Sequence, residues 1–353
     1  MNKFADYFNI QPVVEASAPG RINLLGEYTE YNDGFVLPIA IPQRTWVQLA
    51  PSNDPWNTFF SINLNQLVHY RAGDPVPTGF GAYLAGCINV LREKGYSVHA
   101  VNALIHSNVP IGAGLSSSAA LEVAMLKALR ALFELALNDI DIALNAQQAE
   151  IHFTGIHCGI MDQMAATLAT ERNMLFLDTR TLNYKLLPLP KQSELIVIHS
   201  GVPRRLSDSA YNQRRIECKT AAQKLGVTAL RDIVDSAAVE TLPPPLNRRA
   251  RHVITENARV LMAAAAGIKA DEFGKLMNAS HQSLSDDFDV SIPALNYLVA
   301  LLQSHPAVYG ARLSGAGFGG ACIALTRNGL GLDIANEVLV DFQAEGYRGY
   351  LLT

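Results

Sequence analysis

The sequence predicts a mixed α+β protein of two packed domains, and three observations carry that prediction. The chain has 353 residues, and at roughly 100–200 residues per domain this length suits about two domains with a sizeable core. Hydrophobic residues make up 49% and charged residues 17%, a balance that describes a compact chain and excludes long-range disorder. Segments of helical and of strand periodicity alternate in both halves, without repeats or low-complexity tracts, as helices packed on sheets require.

In order along the chain, Thr45-Trp-Val-Gln-Leu49 and residues 98–106 alternate apolar and polar positions and read as strands. Between them, residues 79–94 space Tyr83, Leu84, Cys87, Ile88 and Leu91 along one face of a helix. A second helical pattern runs from Ser118 to Leu137 without a breaker, and a third from Asp139 to Phe153 with Asp139 or Asp141 as its cap. Residues 174–178 and 194–199 read as strands, with Pro188, Pro190 and a polar stretch between them. The second half is richer in helix, over 210–225, 253–266, 269–278, 293–304 and 331–345, with late strands near 310–313 and 321–325. The domain boundary falls near 180–195, giving domains 1–185 and 186–353, and Pro243-Pro-Pro245 is a stiff loop inside the second.

Lys and Arg number 28 against 32 Asp and Glu, a net charge of −4 spread without runs. That balance argues against a nucleic-acid or membrane-surface partner, which calls for a basic stripe. The opening residues lack the basic end and apolar core of a signal peptide, and no stretch approaches the about 20 apolar residues of a membrane span. Cys87, Cys158, Cys218 and Cys322 share no close spacing, so they read as reduced, mostly buried thiols of a cytoplasmic protein. Any anionic ligand must be held by a local constellation.

Three segments carry such constellations. Pro110-Ile-Gly-Ala-Gly-Leu-Ser-Ser-Ser-Ala-Ala-Leu121 follows a strand and leads into the long helix. Gly112 and Gly114 let backbone N–H groups approach a ligand, and Ser116, Ser117 and Ser118 sit at a helix N-terminus that favours phosphate. The Gly-Lys-Ser/Thr ending of a Walker loop is absent, and a plain strand–turn–helix junction with a serine cap accounts for the same residues. Leu313-Ser-Gly-Ala-Gly-Phe-Gly-Gly-Ala-Cys322 contains Gly-x-Gly-x-x-Gly at Gly315, Gly317 and Gly320. Too little chain follows it for a dinucleotide-binding fold, which leaves a second glycine wall beside the nucleotide or the other glycine loop, or a tight turn between strands. The third segment, Ala18-Pro-Gly-Arg-Ile-Asn-Leu-Leu-Gly-Glu-Tyr-Thr-Glu-Tyr-Asn-Asp-Gly34, crowds Glu27, Tyr28, Glu30, Tyr31 and Asn32 into one loop. Carboxylates, phenols and an amide at that density suit the hydroxyls of a sugar, although turn chemistry alone explains Asn32 to Gly34.

Together, residues 20–32, 110–121 and 313–320 closely resemble the three motifs of the GHMP small-molecule kinases, within them the galactokinase branch. Cys158-Gly-Ile-Met-Asp-Gln163, Arg251-His-Val-Ile-Thr-Glu-Asn257 and Met277-Asn-Ala-Ser-His-Gln-Ser-Leu-Ser-Asp-Asp287 also look like segments of that branch. The resemblance spans nearly the whole chain. It implies a two-domain GHMP-kinase fold with the active site in the cleft between the domains. The implied reaction is ATP-dependent phosphorylation of a sugar at C1, with D-galactose as the first acceptor, ATP and Mg²⁺ as cofactors, and a monomer or weak dimer in the cytoplasm.

Residue by residue, the resemblance makes Asp162 the general base and Arg21 its electrostatic partner. It assigns sugar contacts to Glu27, Tyr28, Glu30, Gly159 and Tyr211, and Mg²⁺ to Ser118 and Glu150. ATP falls to Pro110, Gly112, Gly114, Leu115 and Ser116 to Ser118, with Gly315, Gly317, Gly319 and Gly320 as the third motif. Taken without the resemblance, Glu150 reads as an exposed helix residue, and His152 and His157, whose spacing matches no ligand pattern, read as structural. Two departures bear on the acceptor: galactokinases usually read Gly-Glu-His-Thr-Asp-Tyr where this chain has Tyr28 and Glu30. The alternatives are the same chemistry on an N-acetylhexosamine, a uronic acid or a pentose, and a sensor that binds sugar without catalysis. Intact Arg21, Ser116 to Ser118, Glu150 and Asp162 argue against the sensor.

Overall fold

The computed structural model describes residues 3–156, 158–203 and 208–353. In chain order its first elements are α1 (Lys3–Phe8), β1 (Val14–Asn23), β2 (Phe35–Val36), β3 (Pro38–Pro51), β4 (Trp56–Ser61) and β5 (Gln66–Arg71). There follow α2 (Phe80–Glu93), β6 (Val101–Ser107), α3 (Ser117–Leu132), α4 (Asp139–Ala149), α5 (Met161–Leu168), β7 (Asn173–Asp178), β8 (Tyr184–Pro188) and β9 (Ser193–His199). The remainder gives α6 (Asp208–Lys224), α7 (Leu246–Ala263), α8 (Ala270–Asp286), α9 (Pro293–Ser304), β10 (Val308–Ser314), β11 (Ala321–Arg327), α10 (Gly331–Ala344) and β12 (Tyr350–Leu351). Two compact units result. The first holds Met1–Arg21, Ala40–Pro110 and Ser116–Ala169, and the second Ile22–Ile39, Ile111–Leu115 and Thr170–Thr353.

The first unit follows from period-two burial. Val47 and Leu49 of β3 and Val101, Ala103 and Ile105 of β6 turn to one face, and antiparallel pairing sets Val47 opposite Ile105. The sheet runs β1-β3-β6-β4-β5, with β4 parallel to β6. Leu84, Ile88 and Leu91 of α2 and Val123, Leu126 and Leu129 of α3 meet that face in one core. Each such fully buried side chain contributes about 1.5–3 kcal/mol. On the other face, Ala50, Phe60 and Leu104 pack with Phe4 of α1.

The second unit is built on an antiparallel sheet of order β10-β11-β9-β12, with a smaller sheet β2-β7-β8. Ile334 and Phe342 of α10, Leu295 and Leu298 of α9, and Ile254 of α7 close its core. Helix α8 reaches β10 through glycine. A Cβ built on Gly274 would lie 2.1 Å from the Tyr309 carbonyl oxygen, and one on Gly310 would lie 2.1 Å from that of Gly274.

Several boundaries differ from the sequence reading for local reasons. Helix α3 stops at Leu132, because the chain turns at Glu134, whose φ is +50°. Neither Asp139 nor Asp141 caps α4: Asn138 does, its side chain accepting from the Asp141 N–H while the Asp141 carboxylate accepts from the Asn138 N–H. The pattern expected to run on to Phe153 changes at Glu150 into a π-helical turn, Glu150–Thr154, ended by Gly155. Helix α8 extends eight residues beyond the expected end at Asn278, since Ser280, His281 and Ser283 are buried with partners instead of breaking the helix. Cys87, Cys218 and Cys322 are buried free thiols and Cys158 is half-buried. Among the described residues no helix is long and apolar enough to cross a membrane. His157 lies outside the described residues.

Candidate active site

In the first unit, β1 ends by presenting Arg21, and the first turn of α5 presents Asp162. The Arg21 guanidinium grips a single carboxylate oxygen, with Nε 2.7 Å and Nη2 2.6 Å from Oδ1. The other oxygen, Oδ2, accepts from the Ser116 hydroxyl at 2.5 Å. Ser116 stands at the N-cap position of α3 in the left-handed region, φ +57°, with no side-chain capping bond. Its hydroxyl is turned to Asp162, and the strained backbone goes with that orientation. Arg21 is nearly buried, while the Asp162 side chain keeps 27% exposure, so this carboxylate is both fixed and reachable.

Beside it, Glu150 opens the π-helical turn and is only 5% exposed, unlike the exposed helix residue its local sequence describes. Its Oε2 accepts from Gln163 Nε2 at 2.7 Å and from Cys158 Sγ at 3.5 Å, and its carboxylate accepts from the Ser118 hydroxyl. Burial first, and the Asp162 charge second, push its carboxyl up to about 7. Ser118 and Glu150, far apart in sequence, are therefore in contact. Sequence reasoning missed Glu122 on α3. It is fully buried, and burial first, with the Glu150 charge second, holds its carboxyl well above the carboxylate range, although Gln163 lies beside it. The signal was a lone acid inside the apolar run Ala-Ala-Leu-Glu-Val-Ala-Met-Leu. Gly159 lies half-buried in the turn before α5.

In the second unit the glycine loops face each other. Gly112 and Gly114 have φ of +76° and +79° with open space where a Cβ would stand. A Cβ on Gly315 would touch the Gly114 carbonyl oxygen at 3.5 Å, and one on Gly320 the Ala113 oxygen at 3.6 Å. Gly317 admits no side chain, because Val290 O lies 2.2 Å from the Cβ position. Gly319 continues the same left-handed run.

The loop after β1 packs against this third motif. Glu27 is buried, its Oε1 accepting from the Gly315 N–H at 2.6 Å and its Oε2 from Asn23 Nδ2 at 2.9 Å. Tyr28 has φ +68°, and its hydroxyl donates to the Ala316 carbonyl at 2.5 Å. The Tyr28 ring packs on Phe288 and Tyr211, with centroids 4.5 and 5.6 Å away. Tyr211 in turn donates to Glu30 Oε1 at 3.5 Å. The structure thus joins Glu27, Tyr28, Glu30, Tyr211 and the third glycine motif in one constellation. It joins Asp162, Arg21, Ser116, Ser118 and Glu150 in another.

Known proteins resemble this chain in sequence and fold. Models of three families match: the galactokinase galactose-binding signature over residues 2–51, the GHMP kinases N terminal domain over 82–170 and the GHMP kinases C terminal over 261–341. A curated galactokinase of Roseiflexus sp. (strain RS-1) is 43% identical over 335 residues, 92% of this chain and 86% of that protein. The crystal structure of Lactococcus lactis galactokinase complexed with galactose matches with a TM-score of 0.91 at 30% identity, over 99% of this chain and 95% of that one. The mevalonate kinase of Methanococcus jannaschii, at a TM-score of 0.68 and 18% identity over 96% and 97% of the two chains, shares the fold. On its sequence and its α+β architecture alike, the chain belongs to the galactokinase branch of the GHMP kinases.

Proposed function

We propose that the chain transfers the γ-phosphoryl group of ATP to the anomeric hydroxyl of D-galactose, giving galactose 1-phosphate and ADP. The observation that carries this reading is the Asp162 carboxylate, held by Arg21 on one oxygen and Ser116 on the other, in a chain whose relatives are galactokinases. A bond forms between the sugar O1 and the γ-phosphorus as the bond from that phosphorus to the bridging oxygen breaks, and ADP carries away the electron pair. Asp162 receives the O1 proton. Phosphoryl transfer needs in-line positioning and charge neutralisation more than covalent help, so Arg21 also steadies charge on the transferring group. Glu27, Tyr28, Glu30, Gly159 and Tyr211 recognise the sugar hydroxyls. Pro110 to Ser118 and the third-motif glycines cradle the phosphates with backbone N–H groups.

Ser118 and Glu150 fit a hard divalent cation: two oxygen donors in contact, the carboxyl raised by burial and then by the neighbouring Asp162 charge, a repulsion that a cation would relieve. Mg²⁺ held there neutralises charge on the β- and γ-phosphates when bound.

The test is ADP release from Mg-ATP with D-galactose, beside glucose, N-acetylgalactosamine, galacturonate and arabinose. No turnover of any aldose overturns the kinase reading. Turnover of another sugar far above galactose overturns the acceptor alone. Tyr28, its hydroxyl already donated to Ala316, favours checking that second outcome with a Tyr28→His, Glu30→Asp double substitution, which raises galactose use if the loop has drifted toward another acceptor.

A further inference from the structure

Two segments noted in the sequence, residues 251–257 and 277–287, have no part in the chemistry above. Both lie in the second unit, and both turn a polar face inward. On α7, His252 and Glu256 are four residues apart and so neighbours on the helix surface, and they and the adjoining Asn257 are all buried. His252 Nε2 stands 3.1 Å from the Glu27 carbonyl, with Nδ1 2.9 Å from the Ser283 hydroxyl. Burial pushes this imidazole down to about 4, so it is neutral, with Nε2–H donating to Glu27 O. Glu256 Oε1 accepts from the Gly26 N–H and from Ser280 Oγ, both at 2.8 Å. Asn257 Oδ1 accepts from the Phe35 N–H at 2.9 Å. One helix therefore holds both ends of the loop from Gly26 to Phe35.

Helix α8 treats the strand before the third glycine motif the same way. Asn278 Oδ1 accepts from the Ala311 N–H at 2.8 Å, and His281 Nδ1 from the Leu313 N–H at 3.3 Å. Arg312 stands where the two anchorings meet. It is fully buried, with Nη1 donating to Leu24 O at 2.8 Å and Nε to Leu313 O at 2.9 Å. Its Nη2 lies 3.2 Å from Glu27 Oε1, and its Nη1 3.8 Å from Glu256 Oε1. Arg259 closes the group at 2.6 Å from Glu256, so two guanidiniums balance two carboxylates. Burial alone would raise Glu256, but Arg259 and then Arg312 outweigh it and hold the carboxyl near about 2.

Stability does not account for such an arrangement, since buried ion pairs are often replaceable by apolar residues without loss, whereas they can enforce a register. The register enforced here is that of the Glu27–Tyr28 loop on the Gly315–Gly317 turn, the contact that Gly315 N–H and Ala316 O make from the other side. We infer that Arg312, backed by Glu256, is a positioning residue for sugar recognition: it sets the first-motif loop in register against the third glycine motif. The inference rests on the reading above that this loop contacts the sugar.

The experiment is steady-state kinetics of the full-length Arg312→Lys and Glu256→Gln variants with galactose and Mg-ATP, alongside melting curves. Lysine keeps the charge but cannot reach Leu24 O, Leu313 O and Glu27 together, and glutamine keeps the shape but not the charge. The galactose KM rises roughly tenfold in both, as for loss of one buried charge-assisted contact, with kcat and the ATP KM within about threefold. A structural role alone would lower the active fraction, reducing kcat with both KM values unchanged, and that outcome overturns the inference. If either variant fails to fold, Ser280→Ala, which removes one donor to Glu256, carries the test and gives a smaller galactose KM rise in the same direction. Glu30→Ala, outside this network, separates the two failures. If it raises the galactose KM while the network variants do not, the inference falls and the loop reading stands. If it too leaves the KM unchanged, both fall.

Discussion

Replacing Glu150 by glutamine will stabilise the metal-free protein at neutral pH while ending its turnover. Glu150 is nearly buried, and its carboxyl is raised from 4.5 to about 7, first by burial and then by Asp162. Between those values the folded chain binds a proton that the unfolded chain has released. The stability this group contributes is therefore complete below pH 4.5 and is lost as pH rises through about 7. At 1.36 kcal/mol per pH unit the displacement corresponds to about 3 kcal/mol, or a melting-temperature difference of roughly 4 °C for a chain of this length. Glutamine keeps the Gln163 and Ser118 contacts within reach and has no charge to desolvate. Melting curves of both proteins in EDTA, from pH 5 to pH 8, check this: the variant's advantage widens with pH. Addition of Mg²⁺ then raises the wild type and leaves the variant unmoved. Parallel pH curves for the two proteins would refute the reasoning, because they would mean that Glu150 is ionised without penalty.

On the proposed mechanism Asp162→Asn abolishes ADP release but leaves ATP affinity within about threefold, since there it would remove the proton acceptor and not the phosphate cradle; loss of nucleotide binding in calorimetry would show that the residue is misplaced. Asp178→Asn costs about 2 kcal/mol at pH 7, because burial alone would raise Asp178 but Arg231, 2.5 and 2.8 Å away, and two backbone N–H groups bring it to about 2. That contribution is present above 3.8 and fades as pH falls through about 2, so urea midpoints of the two proteins converge in acid, and a gap that persists there counts against it. Gly274→Ala destabilises by about 3 kcal/mol or more, since its Cβ meets the Tyr309 backbone. Gly112→Ala, with open space and only a left-handed φ to strain, folds at a cost of about 1–2 kcal/mol and reports instead as a raised ATP KM.

Periodicity located the elements whose faces differ most in polarity. Strands β3, β6, β7 and β9 and helices α2 and α9 overlap the segments that the sequence reads as strand or helix, because each carries a run of apolar residues that ends up in a core. The pattern failed where burial is polar. Helix α8 continues through Ser280, His281 and Ser283, residues that end a helix unless something receives them, and here Glu256, Leu313 N–H and His252 do. The short edge strands β5, β8 and β12 were not recognised, since strands with exposed faces alternate weakly. That Ile22–Ile39 and Ile111–Leu115 pack with the second half of the chain is a property of long-range contacts, to which a linear reading has no access.

The site divides along the same line, between residue type and residue partner. Glycines in a phosphate-binding pattern, an acid in a loop and an arginine before an apolar run are visible as types, and resemblance supplied their roles. What each side chain touches was not visible. Ser116 shows why: a serine before a helix has its own N-terminus to cap, and that is the local optimum. The structure instead gives its hydroxyl to Asp162, a choice decided by a residue 46 positions away. Glu122 is the complementary case, conspicuous as an acid in an apolar helix yet without a local reason to be there. Composition conceals both. A net charge of −4 describes a chain indifferent to anions, but it averages over a first unit in which Glu122, Glu150 and Asp162 interact electrostatically and Arg21 grips Asp162. A cation bound among these acids would relieve their repulsion, so a charge balance that argues against nucleic-acid and membrane partners does not argue against a metal nucleotide.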